Sequence, residues 1–286
     1  MTNDYGNLEL HTVLLSAMKD IDRICRENGL RYYLYAGTLL GAVNHKGFIP
    51  WDDDVDLVMY PEDFEMMARI IETDFADRYE MCTFDSTDNW FSKMNKLYIK
   101  GTQVVSQHSE DTHPIFIDIS KLHHVPDQQW RRTLQRKQIE LINLVLGVQS
   151  GAIVPTSLLS KLTLGNLARI RKSFWGKCLD LIMTQYDHIP TEYVGIMCNT
   201  LTKNPYTGRT GYDNDLTQTI CHNNPQYISF EGHQFMTINE AEKDLIRRYG
   251  THWAEPYPEE KRVTKHDIKD YSIEATVWQR ILGENI

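Results

Sequence analysis

Cysteine is scarce in this chain and its spacing is uninformative. The five residues Cys25, Cys82, Cys178, Cys198 and Cys221 are odd in number and never form a CxxC pair. That excludes a disulfide framework and a zinc knuckle, and it fits a reducing, intracellular compartment. No apolar run approaches the roughly 18 residues needed to span a bilayer. The opening MTNDYGNLELHTV has neither a basic n-region nor an apolar h-region, so no signal peptide is expected. Positive charge is also short. Thirty Lys and Arg face 39 Asp and Glu, a net charge of -9, which argues against a general nucleic-acid binder. Internal repeats and low-complexity segments are absent. The expectation is a cytoplasmic protein, soluble or peripheral at the inner face of the membrane.

The chain does have enough apolar residues to fold. Its 286 residues, 41% of them hydrophobic, suffice for one large domain or a core with a sizeable insertion. Leu10, Val13, Leu14, Ala17, Ile21 and Ile24 recur at helical steps, so Leu8 to Asn28 is predicted as a helix closed by Gly29. LRYYLYAG is β-prone. A short helix follows Gly37 and closes near Gly47, and DVDLVMY reads as a strand. Pro61 to Glu72 is a second helix, with proline and acids in its first turn. Lys96 to Val105 and Pro114 to Ser120 are further strands. ISFEGHQFMTI alternates like a hairpin. NEAEKDLIRRYG is a helix capped by Asn239 and closed by Gly250. The mixture implies an α/β or α+β core in which a mixed sheet is flanked by helices.

Residues 126–190 change character, with helical apolar runs such as IELINLVLG and TSLLSKLTLGNLARI. From 131 to 180 nine bases face two acids, +7 net, which leaves -16 for the rest of the chain. This stretch is either a solvated helical subdomain or a basic amphipathic surface that meets anionic lipid or an anionic acceptor.

The chemistry concentrates in WDDDVDL. On a strand, residues two apart share a face, so Asp54 and Asp56 project together, Asp52 joins them if the strand starts early, and Asp53 faces away. Clustered carboxylates repel unless a cation compensates them, and hard oxygen ligands suit Mg²⁺ or Mn²⁺. Asp118, within the apolar strand FIDI, is costly there unless it binds something. Gly37-Thr38, at a helix start, can present backbone N–H groups to phosphate.

The order G[ST], DhD, hDh resembles the nucleotidyltransferase fold of the polymerase-β-like superfamily. More specifically, YLYAGTLLGAVNHKGFIPWDDDVDLVMYPEDFE closely resembles the LicD family of phosphotransferases, to which the fukutin-type proteins are related. Weaker similarity runs through FSKMNK and FIDI, then through FEG (230–232), RRYG (247–250) and PYPEEKR (256–262). The resemblance implies transfer of phosphocholine, or a similar phospho-substituent, from a CDP-linked donor to a hydroxyl of a cell-surface glycan or teichoic-acid precursor. By position it implies that Asp54, Asp56 and Asp118 are catalytic and bind metal, with Asp52 contributing. Gly37 and Thr38 would meet the donor phosphates, with His45 and Lys46 lining the same pocket and Lys93 as a further phosphate contact. Element order and composition, with the resemblance covering both ends, divide the chain into a core (1–125), a helical basic subdomain (126–190) on the acceptor or membrane side, and a C-terminal part (191–286) that completes the catalytic domain. Ser120-Lys121-Leu122-His123-His124 departs from the Pro-Leu-Asp-type segment of many relatives, so donor or acceptor choice would differ there.

Other residues read more plainly. His123 and His124 are expected in a loop and not as metal ligands. Trp51 is expected to pack beneath the acids, and Glu231 is a weaker candidate for a direct role. Two other functions remain open: a nucleotidyltransferase moving NMP onto a small molecule or protein, and a non-catalytic scaffold in glycan assembly. The products separate them, since CMP with a modified glycan differs from diphosphate with a nucleotide adduct.

Overall fold

Helix α1 (Leu8–Asn28) buries the stripe Leu10, Val13, Leu14, Ala17, Ile21 and Ile24. It ends where Gly29 turns left-handed at φ 67°. The computed structural model describes residues 5–106, 112–198, 200–256, 258–262 and 268–283. Strand β1 (Tyr32–Leu34) leads into helix α2 (Ala36–Asn44), and strand β2 (Asp56–Met59) into helix α3 (Pro61–Asp74). Pro61 with Glu62 and Asp63 starts α3, and Phe64, Met67, Ala68 and Ile71 form its buried face.

Then come β3 (Tyr79–Cys82), β4 (Asn95–Ile99), β5 (Thr102–Ser106), β6 (Thr112–His113), β7 (Phe116–Lys121) and β8 (His123–Val125). The central sheet has the order β1-β2-β7-β4-β3. Its middle pair, β2 and β7, is parallel, and its other pairs are antiparallel. Parallel strands need a crossover, supplied here by everything from α3 to β6. This is a mixed α+β architecture.

The expected strand over 96–105 is two strands. The chain reverses at Gly101 (φ 78°), and β5 leaves the central sheet to pair with β6 and with a C-terminal strand over Ile268–Ile273. His123 and His124 are likewise in β8 and not in a loop. Their backbone pairs with β9 (Tyr193–Gly195), an edge that local sequence does not announce.

The basic segment forms helices α4 (Gln129–Gln149), α5 (Leu158–Leu167) and α6 (Lys172–Thr184). After β9 come α7 (Gly211–Asn214), β10 (Thr217–Gln218), α8 (Ile220–Asn223), the hairpin β11 (Gln226–Phe230) and β12 (His233–Thr237), and α9 (Ala241–Tyr249). Strand β13 (Ile268–Ile273) and helix α10 (Ala275–Gly283) follow. The expected Asn239 cap of α9 is replaced by Glu240, in a left-handed conformation and without a side-chain capping bond. Gly250 closes the helix as expected.

Two apolar clusters result. One joins α1, α3 and the central sheet to Phe230, Phe235, Leu245 and Ile281 near the C-terminus. The other gathers Ile139, Ile142, Leu146, Leu179 and Met183 of the helical segment around Phe84, Val125, Met197 and Tyr212.

Candidate active site

The central strands place three charged side chains in a row. Asp56 on β2 lies opposite Asp118 on β7, and Asp118 lies opposite Lys96 on β4. Directly opposed residues share a face, and the Lys96 ammonium meets Asp118 Oδ1 at 2.8 Å. Asp54, just before β2, completes the group. Ligand oxygens of Asp54, Asp56 and Asp118 lie within 4.8 Å of one another. Burial first, then the charges of Asp54, Asp118 and Asp52, push the Asp56 carboxyl well above the usual carboxylate range, while Arg248 opposes them.

The entrance to β2 is held by α2. Thr38 Oγ1 accepts the Asp56 N–H at 2.8 Å, and the Tyr35 N–H donates to the Asp56 carbonyl at 3.0 Å. Ala36, with φ 42°, opens α2 one residue before Gly37. At Gly37 a β-carbon would stand 2.8 Å from Asp52 Oδ2, so glycine is what lets that carboxylate approach the helix start. Asp52, Asp53 and Asp54 form a second acidic group, with Asp52 and Asp53 buried. Asp53 therefore does not simply face away from its neighbours. The ladder begins only at Asp56, so strict alternation does not govern the three residues before it.

The loop carrying these acids is clamped from both ends of the chain. Asn7 Nδ2 donates to the Asp52 carbonyl at 3.1 Å, and His11 Nε2 lies 2.7 Å from the same oxygen. The His11 ring stacks on Phe48 at 4.1 Å. From the C-terminal side, the Glu231 N–H donates to the Lys46 carbonyl at 2.8 Å, and Glu231 Oε1 accepts the Phe48 N–H at 3.1 Å. A β-carbon at Gly47 would run into the Glu231 carboxylate. Arg248 is buried, pairs with Asp215 at 2.6 Å and covers the Tyr35 ring at 4.0 Å. Arg262 covers Trp51 at 5.1 Å. Each of the three C-terminal motifs thus touches the first motif.

The remaining predicted residues are spread around this centre. His45 is edge-on to Trp51 at 6.0 Å, and partial burial with the Arg262 charge holds its pKa below the usual histidine value. Trp51 packs among Tyr5, His45 and Arg262. The Lys46 side chain is exposed on a backbone of φ 60°. Lys93 pairs with Asp180 at 2.7 Å and with Asp85 at 3.6 Å, which ties the β3–β4 connection to α6. His123 meets Asp187 at 2.8 Å, and His124 meets Thr191 at 2.8 Å.

An open cleft of about 370 Å³, lined by Trp90, Phe91, Asn143 and Cys198, adjoins the row of charges: the Lys96 ammonium lies 5.5 Å from the Trp90 ring centre. A larger cavity of about 750 Å³ lies at the far end of β2, lined by Arg31, Tyr60 and His124, and none of the acids borders it. The acids line neither cavity, and the smaller cleft is tied to them only through the Lys96–Trp90 contact.

The motifs FSKMNK and RRYG contain Lys96 and Arg248 without giving either a role, and no pattern marks Asn7 or His11. Lys96 alternates like a surface lysine, and its meaning comes only from the β4–β7 register.

The donor set fits a hard divalent cation. It offers Asp56 and Asp118 on adjacent strands, Asp54 just before the first of them, and the acidic Asp52 and Asp53 beside them. Magnesium–oxygen bonds of about 2.0–2.1 Å need ligand oxygens roughly 3–4 Å apart, which small side-chain rotations reach from this spacing. Burial and then the neighbouring acids raise the Asp56 pKa, and a bound cation would offset the repulsion among the acids.

Comparison with known proteins agrees with this geometry. Residues 29–142 match the family described as LicD/FKTN/FKRP, nucleotidyltransferase domain. The lipopolysaccharide cholinephosphotransferase LicD of Haemophilus influenzae is 25% identical over 266 residues, which cover 92% of this chain and 97% of that protein. The ribitol 5-phosphate transferase FKRP of Homo sapiens is 60% identical over 35 residues, 12% of this chain and 7% of that protein, and FKRP of Mus musculus matches equally. The central sheet and the acids lie inside the matched stretch, so it is over residues 29–142 that this chain is similar to the LicD/FKTN/FKRP nucleotidyltransferase domain.

Proposed function

We propose that this protein is a divalent-cation-dependent phosphotransferase, with Mg²⁺ or Mn²⁺ as the ion. It moves phosphocholine, or a similar phospho-substituent, from a CDP-linked donor to a hydroxyl of a cell-surface glycan or teichoic-acid precursor. The observation that carries the reading is the convergence of Asp54, Asp56 and Asp118 within 4.8 Å inside the matched domain. One relative is named for moving phosphocholine and the other for moving ribitol 5-phosphate. Both are small phosphate esters.

In this reading Asp54, Asp56 and Asp118 hold the cation, and Asp52 supports them beside Gly37. The bound cation supplies counter-charge to the donor diphosphate. The acceptor hydroxyl attacks phosphorus in line, the bond to CMP breaks, and a carboxylate of the cluster takes the hydroxyl proton. Gly37 and Thr38 meet the donor phosphates at the start of α2, with His45 and Lys46 at the rim. Lys93 would have to leave Asp180 to join them, whereas Lys96 already faces the acids. The aromatic cleft beside Trp90 is the natural acceptor or head-group subsite. Residues 1–125 and 191–286 form the catalytic unit, and 126–190 lies on its acceptor or membrane side.

Incubation with a panel of CDP-linked donors, Mg²⁺ and a glycan acceptor should release CMP. Asp56→Asn should fold normally and lose at least about 100-fold in turnover. Release of diphosphate with a nucleotide adduct would instead establish the nucleotidyltransferase alternative. Normal turnover by Asp56→Asn would remove the metal assignment.

A further inference from the structure

Helix α5 buries none of its ten residues. Leu158, Leu159 and Leu162 are 75%, 72% and 57% exposed, and Val154, just before the helix, is 76% exposed. The next helix repeats the pattern. Phe174, Lys177 and Leu181, at steps that share one face, are all exposed on α6. No helix among the described residues is long and apolar enough to cross a membrane. At about 1.5 Å per residue, α5 has roughly half the length needed to span a bilayer. Its C-terminal end is nevertheless fixed to its neighbours. Gln149 Nε2 donates to the carbonyls of Ala168 and Ile170, and Trp175 Nε1 donates to that of Leu167. A helix secured this way while presenting leucines to water has its apolar face reserved for something outside the chain.

The charge on this face says what that is. From 141 to 179 the sequence has no acidic residue. Lys161, Arg169, Arg171 and Lys177 are exposed, and none has an ion-pair partner among the described residues. The rest of an acidic chain would be repelled by an anionic surface, so only this face can approach one. A second copy of the chain is a poor occupant, because it would set two basic faces against each other. We propose that α5, with the Phe174–Leu181 stripe of α6, docks the protein on the surface of an anionic phospholipid bilayer. The leucines enter the headgroup–acyl boundary and the bases pair with lipid phosphates. This docking face stands independently of the transfer reading, since vesicles alone test it.

The full chain should co-sediment with vesicles of phosphatidylcholine plus phosphatidylglycerol at low salt, bind less at high salt, and bind pure phosphatidylcholine weakly. Replacing Leu158, Leu159 and Leu162 together with Ser should lower partitioning by at least about tenfold, because apolar insertion is lost. The melting temperature should stay the same, because these side chains are exposed. Lys161→Glu with Arg169→Glu should abolish the preference for anionic vesicles. Equal binding to neutral and anionic vesicles, or to neither, would overturn the proposal. So would a wild-type dimer in analytical ultracentrifugation that the triple serine variant converts to monomer.

Discussion

Lys96 competes with any cation that the carboxylates hold. Its ammonium lies 2.8 Å from Asp118, and both side chains are nearly buried, so the pair is little screened. Lys96→Met removes the resident positive charge and leaves the carboxylates facing one another. The metal-free variant should therefore melt lower than wild type, since a buried charge has lost its partner. Added Mg²⁺ should restore more stability to it than to wild type, with affinity tightened about tenfold, a coupling of roughly 1.4 kcal/mol that an ion pair near a protein surface can supply. Calorimetric Mg²⁺ titration of both proteins checks this. Weaker Mg²⁺ binding by the variant would mean that Lys96 orients Asp118 and does not compete with metal. At this scale the sequence was partly legible. Asp118 could be found because an acid among Phe116, Ile117 and Ile119 needs a reason, and Asp54 and Asp56 because they are two apart. Lys96 and Arg248 lie inside the family-like motifs FSKMNK and RRYG, but their roles were not legible, because nothing local distinguishes a lysine on an alternating strand or an arginine in a helix from a solvated one.

The β11–β12 hairpin works as a clamp on the loop that carries the acids. Its turn residue Glu231, at φ 48°, binds Lys46 through its backbone and Phe48 through its side chain. Phe48 is buried between His11 and Phe230, so its N–H has no water to fall back on. Glu231→Ala should cost about 1–3 kcal/mol, the penalty for orphaning a buried donor. It should also lower turnover by loosening the loop. Glu231→Gln keeps an accepting oxygen and should stay near wild type in both. Gly47→Ala should reproduce the alanine phenotype, because its methyl group displaces the same carboxylate. Chemical denaturation and CMP release on the three variants decide it. A Glu231→Ala protein with unchanged stability would remove the clamp. The helices were readable from periodicity, because α1 and α3 each bury one regular face, and the hairpin from its alternating sequence, although its burial deepens along each strand from Gln226 to Phe230 and from His233 to Thr237. The clamp was not. Its partners are 183 positions apart, and no local pattern encodes a contact at that separation.

Across the whole molecule, the N- and C-terminal parts share one apolar core, and His222 sits where they meet. It is only 2% exposed, edge-on to Tyr33 at 4.8 Å, and its carbonyl accepts the Tyr33 hydroxyl. Its Nδ1 has no hydrogen-bond partner among the described residues. Burial lowers its pKa to about 4, with Asp244 opposing that shift and Arg247 and Arg31 adding to it. An imidazole with a depressed pKa is neutral in the folded protein where the unfolded chain, titrating near 6.5, is already charged. Between about pH 6.5 and about pH 4 the unfolded state therefore binds a proton that the folded state refuses. Stability is fully present above that window and declines as pH falls through it, by about 3 kcal/mol in all. Other groups titrate over the same range, so the diagnostic quantity is the difference between wild type and His222→Phe. That variant keeps a ring against Tyr33 and Tyr60 and removes the titration. Urea denaturation at pH 7.5 and pH 5 should show wild type losing more stability than His222→Phe by about 2 kcal/mol. Equal losses would mean that His222 takes up its proton without unfolding its surroundings, and that the junction between the two ends of the chain admits water.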